Sequence, residues 1–257
     1  MNPQPIPFTY EERYVAFVDI LGFKEKVRRL TENTQVFEIL IALPTTLSAT
    51  VAESNKIYQD VDIQGTAFSD CLVISTSASR GSFPGIHSVL KVVQKITEKL
   101  LVARAMVRGG LAKGPMYHRD GVAFGSGMIA AIKLESDVAK EPRIVVAPEV
   151  EAEWTASFDN GRWIVADRPM IVKDKDGLAI VDPFFFPEGD STTHAFFTRA
   201  GDALSTMLNE ADANLAGWAK AAWLAGQYND SSFVRRLAKS THKLKPIAIP
   251  SPPRTLE

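Results

Sequence analysis

Apolar positions recur along this chain in two rhythms, short unbroken runs and stretches spaced by three and four. The first run, residues 14–18 (Tyr-Val-Ala-Phe-Val), ends on Asp19. It passes through Ile20-Leu21-Gly22-Phe23 into a basic, helix-like stretch from Lys24 to Leu30. A strand, a carboxylate, a turn and a helix are predicted in that order. Residues 36–51 place Phe37, Leu40, Leu43 and Leu47 on one helical face, with Pro44 predicting a break or kink. Residues 61–67 and 72–75 have strand character and flank Phe68-Ser69-Asp70-Cys71, a polar pair between apolar segments that reads as a hairpin. Over residues 86–101, Val89, Leu90, Val93, Ile96 and Leu100 share one side, so a helix packed on the sheet is predicted.

Residues 103–110 form the next predicted strand, running into VRGGLAKG, whose paired glycines allow a bulge or a close backbone approach. Asp120-Gly121 supplies a turn within residues 117–122, a β arm. The glycine-rich residues 124–127 precede an apolar helix over 128–138, closed by Pro142, and residues 143–147 read as a strand. Further on, strands at 162–166 and 178–181 are joined through Lys173-Asp174-Lys175-Asp176-Gly177. One long helical stretch covers 193–224, and a short basic helix over 233–239 leads to a proline-rich tail. Residues 1–12 are proline-rich and polar, an arm rather than an element.

Composition narrows the function classes. At 257 residues, 46% hydrophobic and 23% charged, the chain can bury a full core with an extension and is no disordered adaptor. The 29 basic and 30 acidic residues nearly cancel, so a site for a polyanion has to be local. A single cysteine, Cys71, excludes a disulfide framework and a cysteine-rich zinc site and reads as a small buried filler in a reducing compartment. No apolar run approaches the roughly 20 residues of a membrane span. The N-terminus lacks the basic start and apolar core of a signal peptide, so a cytoplasmic protein is expected.

Candidate chemistry gathers at the two acidic turns. A carboxylate at a strand end can hold a hard cation while the free amides of a following helix face an anion, and Gly22 lets the backbone come close. Asp19 taken singly also reads as a helix cap, and Ser69-Asp70 as an ordinary turn pair. Together, on neighbouring strands, the two carboxylates make a two-metal cage of the kind used in phosphoryl chemistry. His87, His118, His194 and His242 lie in four separate segments with no metal-ligand spacing; His118 is nearest the acidic turns.

YVAFVDILGF, FSDCLVIS, VRGGLAKGPMYH and FGSGMIAAIKLESDVAKEPRIVV follow one another in an order that resembles the class III nucleotidyl cyclases. Within that group the DILGF and RGGLAKG segments and the long extension are most similar to the Pycsar pyrimidine cyclases of bacterial anti-phage defence. The resemblance implies an α+β fold with a βααββαβ core, a mainly antiparallel sheet and a C-terminal helical extension. It divides the chain into an arm (1–12), a catalytic domain (13–150) and an extension (151–257). It implies Mg²⁺ or Mn²⁺ held by Asp19, Asp70 and the Ile20 carbonyl, with the amides of Gly22 and Phe23 on the phosphates. It also implies a homodimer with shared sites, the 117–122 arm reaching across the interface.

Class III cyclases usually add an asparagine and an arginine four apart on the helix after the glycine-rich turn. Here those positions are Ile129 and Lys133. Lys133 supplies charge but no planar fork, and it also reads as the partner of Asp137 one turn on. Lys140, Arg143 and then Arg108 are further phosphate candidates. Where purine cyclases place a base-reading lysine or glutamate, this chain offers Gln64 and Thr66, a polar uncharged pair that suits uracil or cytosine without deciding between them. The expected activity is cyclisation of a pyrimidine nucleoside triphosphate, UTP in preference to CTP, to the 3′,5′-cyclic monophosphate with release of pyrophosphate. The alternatives are a non-catalytic nucleotide-binding module of the same fold and a purine cyclase with unusual base contacts.

Overall fold

In the computed structural model, residues 10–28, 34–79, 81–159, 170–185, 191–210, 215–237 and 244–253 are described. The first strand, β1 (Glu11–Ile20), lies between β3 (Cys71–Ser77) and β4 (Val107–Arg119), antiparallel to both. Outside β3 comes β2 (Ile63–Phe68); outside β4 come β6 (Ile144–Val146), β8 (Ala179–Val181) and β7 (Ile171–Lys173), while β5 (Val122–Gly125) pairs with the outer part of β4. Among the described residues only the β4–β6 pairing is parallel.

Residues 13–18 of β1 are all buried, because helices cover both faces of the sheet there. Tyr14 and Ala16 share a face with Ile63 and Gly65, whose neighbours are α2 (Thr34–Ile57) and α3 (Ser82–Val102). Phe17 and Asp19 share the opposite face with Gly110, which lies against α4 (Ser126–Lys133). A β-carbon on Gly110 would stand 2.2 Å from the Ala131 carbonyl oxygen, so only glycine lets α4 lie this close to β4. With α1 (Phe23–Arg28) after β1, the chain from β1 to β4 runs β-α-α-β-β-α-β. The fold class is α+β with a mainly antiparallel sheet, as the sequence implies.

Several expectations change. Helix α2 runs without interruption through Pro44. Leu43 and Leu47 are buried beside it, and that packing outweighs the hydrogen bond that proline forgoes. Strand β4 starts later than expected and runs on to Arg119, because the whole length of β1 pairs with it. The 128–138 helix divides into α4 and a π-helical turn, Leu134–Val138. A helix not foreseen, α5 (Pro148–Asp159), follows β6. Strand β7 pairs with β8 through the turn at Asp174 to Gly177, and the strand expected at 162–166 lies outside the described residues. The 193–224 stretch is two helices, α6 (Ser191–Glu210) and α7 (Leu215–Asp230), before α8 (Ser232–Leu237). These three helices build a second core around Phe184, Phe197, Leu204 and Tyr228, which reaches Leu101 at the end of α3.

Candidate active site

Asp19 stands at the penultimate position of β1, opposite Cys71 of β3 and Arg108 of β4. The β2–β3 turn is made by Ser69 and Asp70, with Ser69 in the left-handed region at φ 56°, a conformation that costs a non-glycine residue about 1 kcal/mol. The amide of Ile20 donates to the Asp70 carbonyl at 3.1 Å, fixing the two turns side by side. Oxygens of Asp19 and Asp70 and the sulfur of Cys71 thereby lie within 4.8 Å of one another. After Ile20 the chain bends at Gly22, φ 72°, and enters α1 at Phe23.

Charge crowds this corner. Burial, then the neighbouring carboxylates Asp70 and Glu135, push the Asp19 carboxyl up to about 6 against the opposing pull of Arg108. The Cys71 thiol, facing Asp19 Oδ1 at 3.6 Å, is pushed up to about 12 by burial and by both aspartates. It is half-buried, packed against the core on one side and facing acids on the other. The π-helical turn after α4 swings Glu135 inward to 6% exposure, where it meets Arg108 as a close ion pair without the alignment of a hydrogen bond. Arg108 Nε is also 3.8 Å from Asp19 Oδ2.

A second polar group lies on the same face, where the outer part of β4 crosses over the sheet. His118, 2% exposed, bonds Ser75 Oγ through Nδ1 at 2.8 Å and Thr66 Oγ1 through Nε2 at 2.9 Å. Arg13 Nε donates to Ser75 Oγ at 2.9 Å, and Arg13 Nη1 donates to Asp62 at 2.9 Å. Gln64 Nε2 donates to Asp62 Oδ1 at 2.5 Å. Burial raises the Asp62 carboxyl, but the hydrogen bonds from Gln64 and Arg13 more than offset it and hold the group below the usual carboxylate range. Burial and the Arg13 charge press His118 down to about 4.

The candidates named from the sequence therefore fall into four places. Asp19, Asp70, Ile20, Gly22 and Phe23 share one corner, with Arg108 beside them. Gln64 and Thr66 face the same side of the sheet, as register partners of Ser75 and Val73. Lys133 is exposed at the end of α4, and Asp137 accepts from Ser136 instead of Lys133. Lys140 is exposed too, its ammonium 3.4 Å from the Ser136 carbonyl. Arg143 does not belong with them: it is buried across the sheet in ion pairs with Asp174 and Asp176, which use up its charge. Sequence reasoning passed over Glu135, Arg13 and Ser75; the signal available was a charged or hydroxyl residue on an alternating position of an otherwise buried strand or helix.

No protein-family model matches the chain, and no curated protein matches it by sequence. Among solved structures it is similar to the adenylyl cyclase CyaB from P. aeruginosa, at 16% identity and a TM-score of 0.44 over 68% of this chain and 94% of that one. It is similar also to the monomeric guanylyl cyclase domain of the RhoGC fusion protein from the aquatic fungus Blastocladiella emersonii, at 16% identity and 0.46 over 67% and 95%. A third is the catalytic core of a rhodopsin-guanylyl cyclase with converted specificity in complex with ATPαS, at 18% and 0.44 over 67% and 96%. Likeness at this level carries no argument about substrate; the residues of the site do.

Proposed function

We propose that this protein cyclises a pyrimidine nucleoside triphosphate, UTP in preference to CTP, to its 3′,5′-cyclic monophosphate with release of pyrophosphate. The observation that carries the reading is the meeting of Asp19 and Asp70 at adjoining strand ends. Two carboxylates this close, one of them raised to about 6 by burial and by its neighbour, are short of positive charge, and an all-oxygen pair suits Mg²⁺ or Mn²⁺. Bound there, a divalent cation would make the 3′-hydroxyl easier to deprotonate and neutralise the triphosphate.

Asp19 and Asp70 would hold that cation, with the Ile20 carbonyl as a third ligand. In the reaction the ribose 3′-oxygen bonds to the α-phosphorus, the bond from that phosphorus to the bridging oxygen breaks, and the 3′ proton leaves to solvent. The amides of Gly22 and Phe23 would orient the β- and γ-phosphates, and Arg108, beside Asp19, would add charge there. Gln64 and Thr66 would read the base. Lys133 and Lys140 lie exposed on the α4 side, and we assign Lys133 to the site of a partner subunit in a homodimer. Ile129, 57% exposed one turn before it, is an apolar residue suited to that contact. The further role, synthesis of a second messenger in anti-phage defence, rests on the resemblance of the DILGF and RGGLAKG segments. No helix among the described residues is long and apolar enough to cross a membrane.

Pyrophosphate released in step with cyclic UMP, dependent on Mn²⁺ and absent from Asp70→Ala, is the expected result. Mixing Asp70→Ala with Lys133→Ala should restore part of the activity, because one of the two hybrid sites is then intact. No recovery on mixing would contradict the shared site. Ile129, where a ribose-orienting asparagine is usual, favours a second reading, a nucleotide-binding regulatory module. Tight binding of UTP with no turnover under any divalent cation would support that instead.

A further inference from the structure

The buried polar chain from Arg13 to Thr66 has a direction, and the direction can be worked out atom by atom. Arg13 Nε is a donor only, so Ser75 Oγ accepts from it. Ser75 is fully buried, and its hydroxyl hydrogen needs an acceptor. The other partner of that hydroxyl among the described residues is His118 Nδ1, at 2.8 Å. With Nδ1 accepting, a neutral imidazole carries its proton on Nε2, and Nε2 donates to Thr66 Oγ1 at 2.9 Å. Thr66 then accepts from within the protein and keeps its own hydroxyl hydrogen for whatever lies above the sheet. Gln64, two residues away on the same face, is oriented by the same kind of logic. Asp62 is an acceptor, so the Gln64 amide nitrogen faces it at 2.5 Å and the Gln64 carbonyl oxygen is left to accept.

We infer that His118 is a positioning residue for base selection: it holds Thr66 as a hydrogen-bond donor beside the Gln64 acceptor, a pair complementary to a ring N–H next to a carbonyl, as uracil presents. This deepens the cyclase reading and rests on it for the identity of the ligand. His118 itself touches no nucleotide; it acts through Thr66. A structural role alone would require only that the three side chains be satisfied, whereas the relay fixes which of them is left with a proton to give. Glutamine is the nearest replacement, with one acceptor and one donor on a planar group, though at a different reach.

Two measurements on the full chain test this. In protein labelled with ¹⁵N-histidine, with His118→Gln used to assign the signal, His118 is expected as the neutral Nε2–H tautomer at pH 7. The Nδ1–H tautomer or an imidazolium would overturn the relay. In calorimetric titrations with UTP and, separately, ATP in the presence of Mn²⁺, Thr66→Val is expected to weaken UTP binding about tenfold, the loss of roughly one hydrogen bond. Thr66→Ser should stay within about threefold of the natural protein. Equal losses for Val and Ser, or equal losses for UTP and ATP, would overturn the assignment to base selection. A protein that binds UTP with this pattern but never cyclises it would sink the proposed function and leave the relay standing.

Discussion

His118 is buried neutral, with Arg13 and Ser75 on one side, Thr66 on the other, and the Asp62 and Arg119 charges nearby. Its folded value of about 4 lies below the ordinary 6.5, so the unfolded chain binds its proton first. Stability from this group is complete above pH 6.5 and is lost as pH falls toward 4. Glutamine does not titrate, so the stability gap between the natural protein and His118→Gln should narrow by about 2 kcal/mol between pH 7 and pH 5. Urea unfolding at the two pH values checks this, and a gap that stays constant would mean that His118 titrates normally. The contrast with the acidic corner shows what single residues disclose. Asp19 was legible because it interrupts an apolar run at a strand end, and Asp70 because it sits in a polar pair between two runs. The role of His118 was not, since Ser75 and Thr66 lie 43 and 52 residues away in sequence and meet it only when β4 folds over the sheet. Arg143 misled for the opposite reason: a cation at a strand start looks the same whether or not Asp174, 31 residues on, has already neutralised it.

Elements carry the geometry that the residues need. Strand β4 and helix α4 touch backbone to backbone at Gly110, which ties the position of Lys133 and of the Glu135 turn to the strand that bears Arg108. Gly110→Ala should push α4 outward, costing about 1–3 kcal/mol by overpacking and lowering turnover more than the stability loss explains. Thermal melts and nucleotide turnover on the same preparation separate the two effects; unchanged turnover in a destabilised variant would mean that α4 has no part in the site. Most elements could be read from periodicity, because β1 and α3 each bury a long regular face. The exceptions have local causes. In α2 the packing on β2 and α3 prevailed over Pro44. In α5 the start was marked by Pro148 with Glu149 and Glu151 behind it, a proline and acidic first turn that favour a helix N-terminus even though its apolar periodicity is weak. The α4 helix was foreseen, but its π-helical end was not, since nothing in the 134–138 residues distinguishes a π turn from an α turn.

At the scale of the whole molecule, the sheet extends past residue 150, because β8 pairs with β6 and β7 with β8. Arg143 fastens this far edge, its side chain 5% exposed against Asp174 at 3%. Asp174→Ala should therefore destabilise the protein by about 1–3 kcal/mol by leaving buried Arg143 to the more exposed Asp176, while the acidic corner on the other side of β4 keeps its arrangement. Denaturant unfolding measures the first effect; a loss below about 1 kcal/mol would mean that solvent reaches the arginine. The second core, built on α6, α7 and α8, joins the sheet layer through the end of α3, so the extension and the candidate site share one supporting helix. Chemistry at Asp19 and Asp70 can be read out in a single assay. Purified protein is incubated with Mn²⁺ and each of the four radiolabelled ribonucleoside triphosphates in turn, beside an Asp70→Ala control. Cyclic UMP as the main product, absent from the control, is the predicted result. Cyclic AMP or GMP would contradict the pyrimidine preference, and no product from any of the four, or a product that survives Asp70→Ala, would contradict the chemistry at the acidic corner.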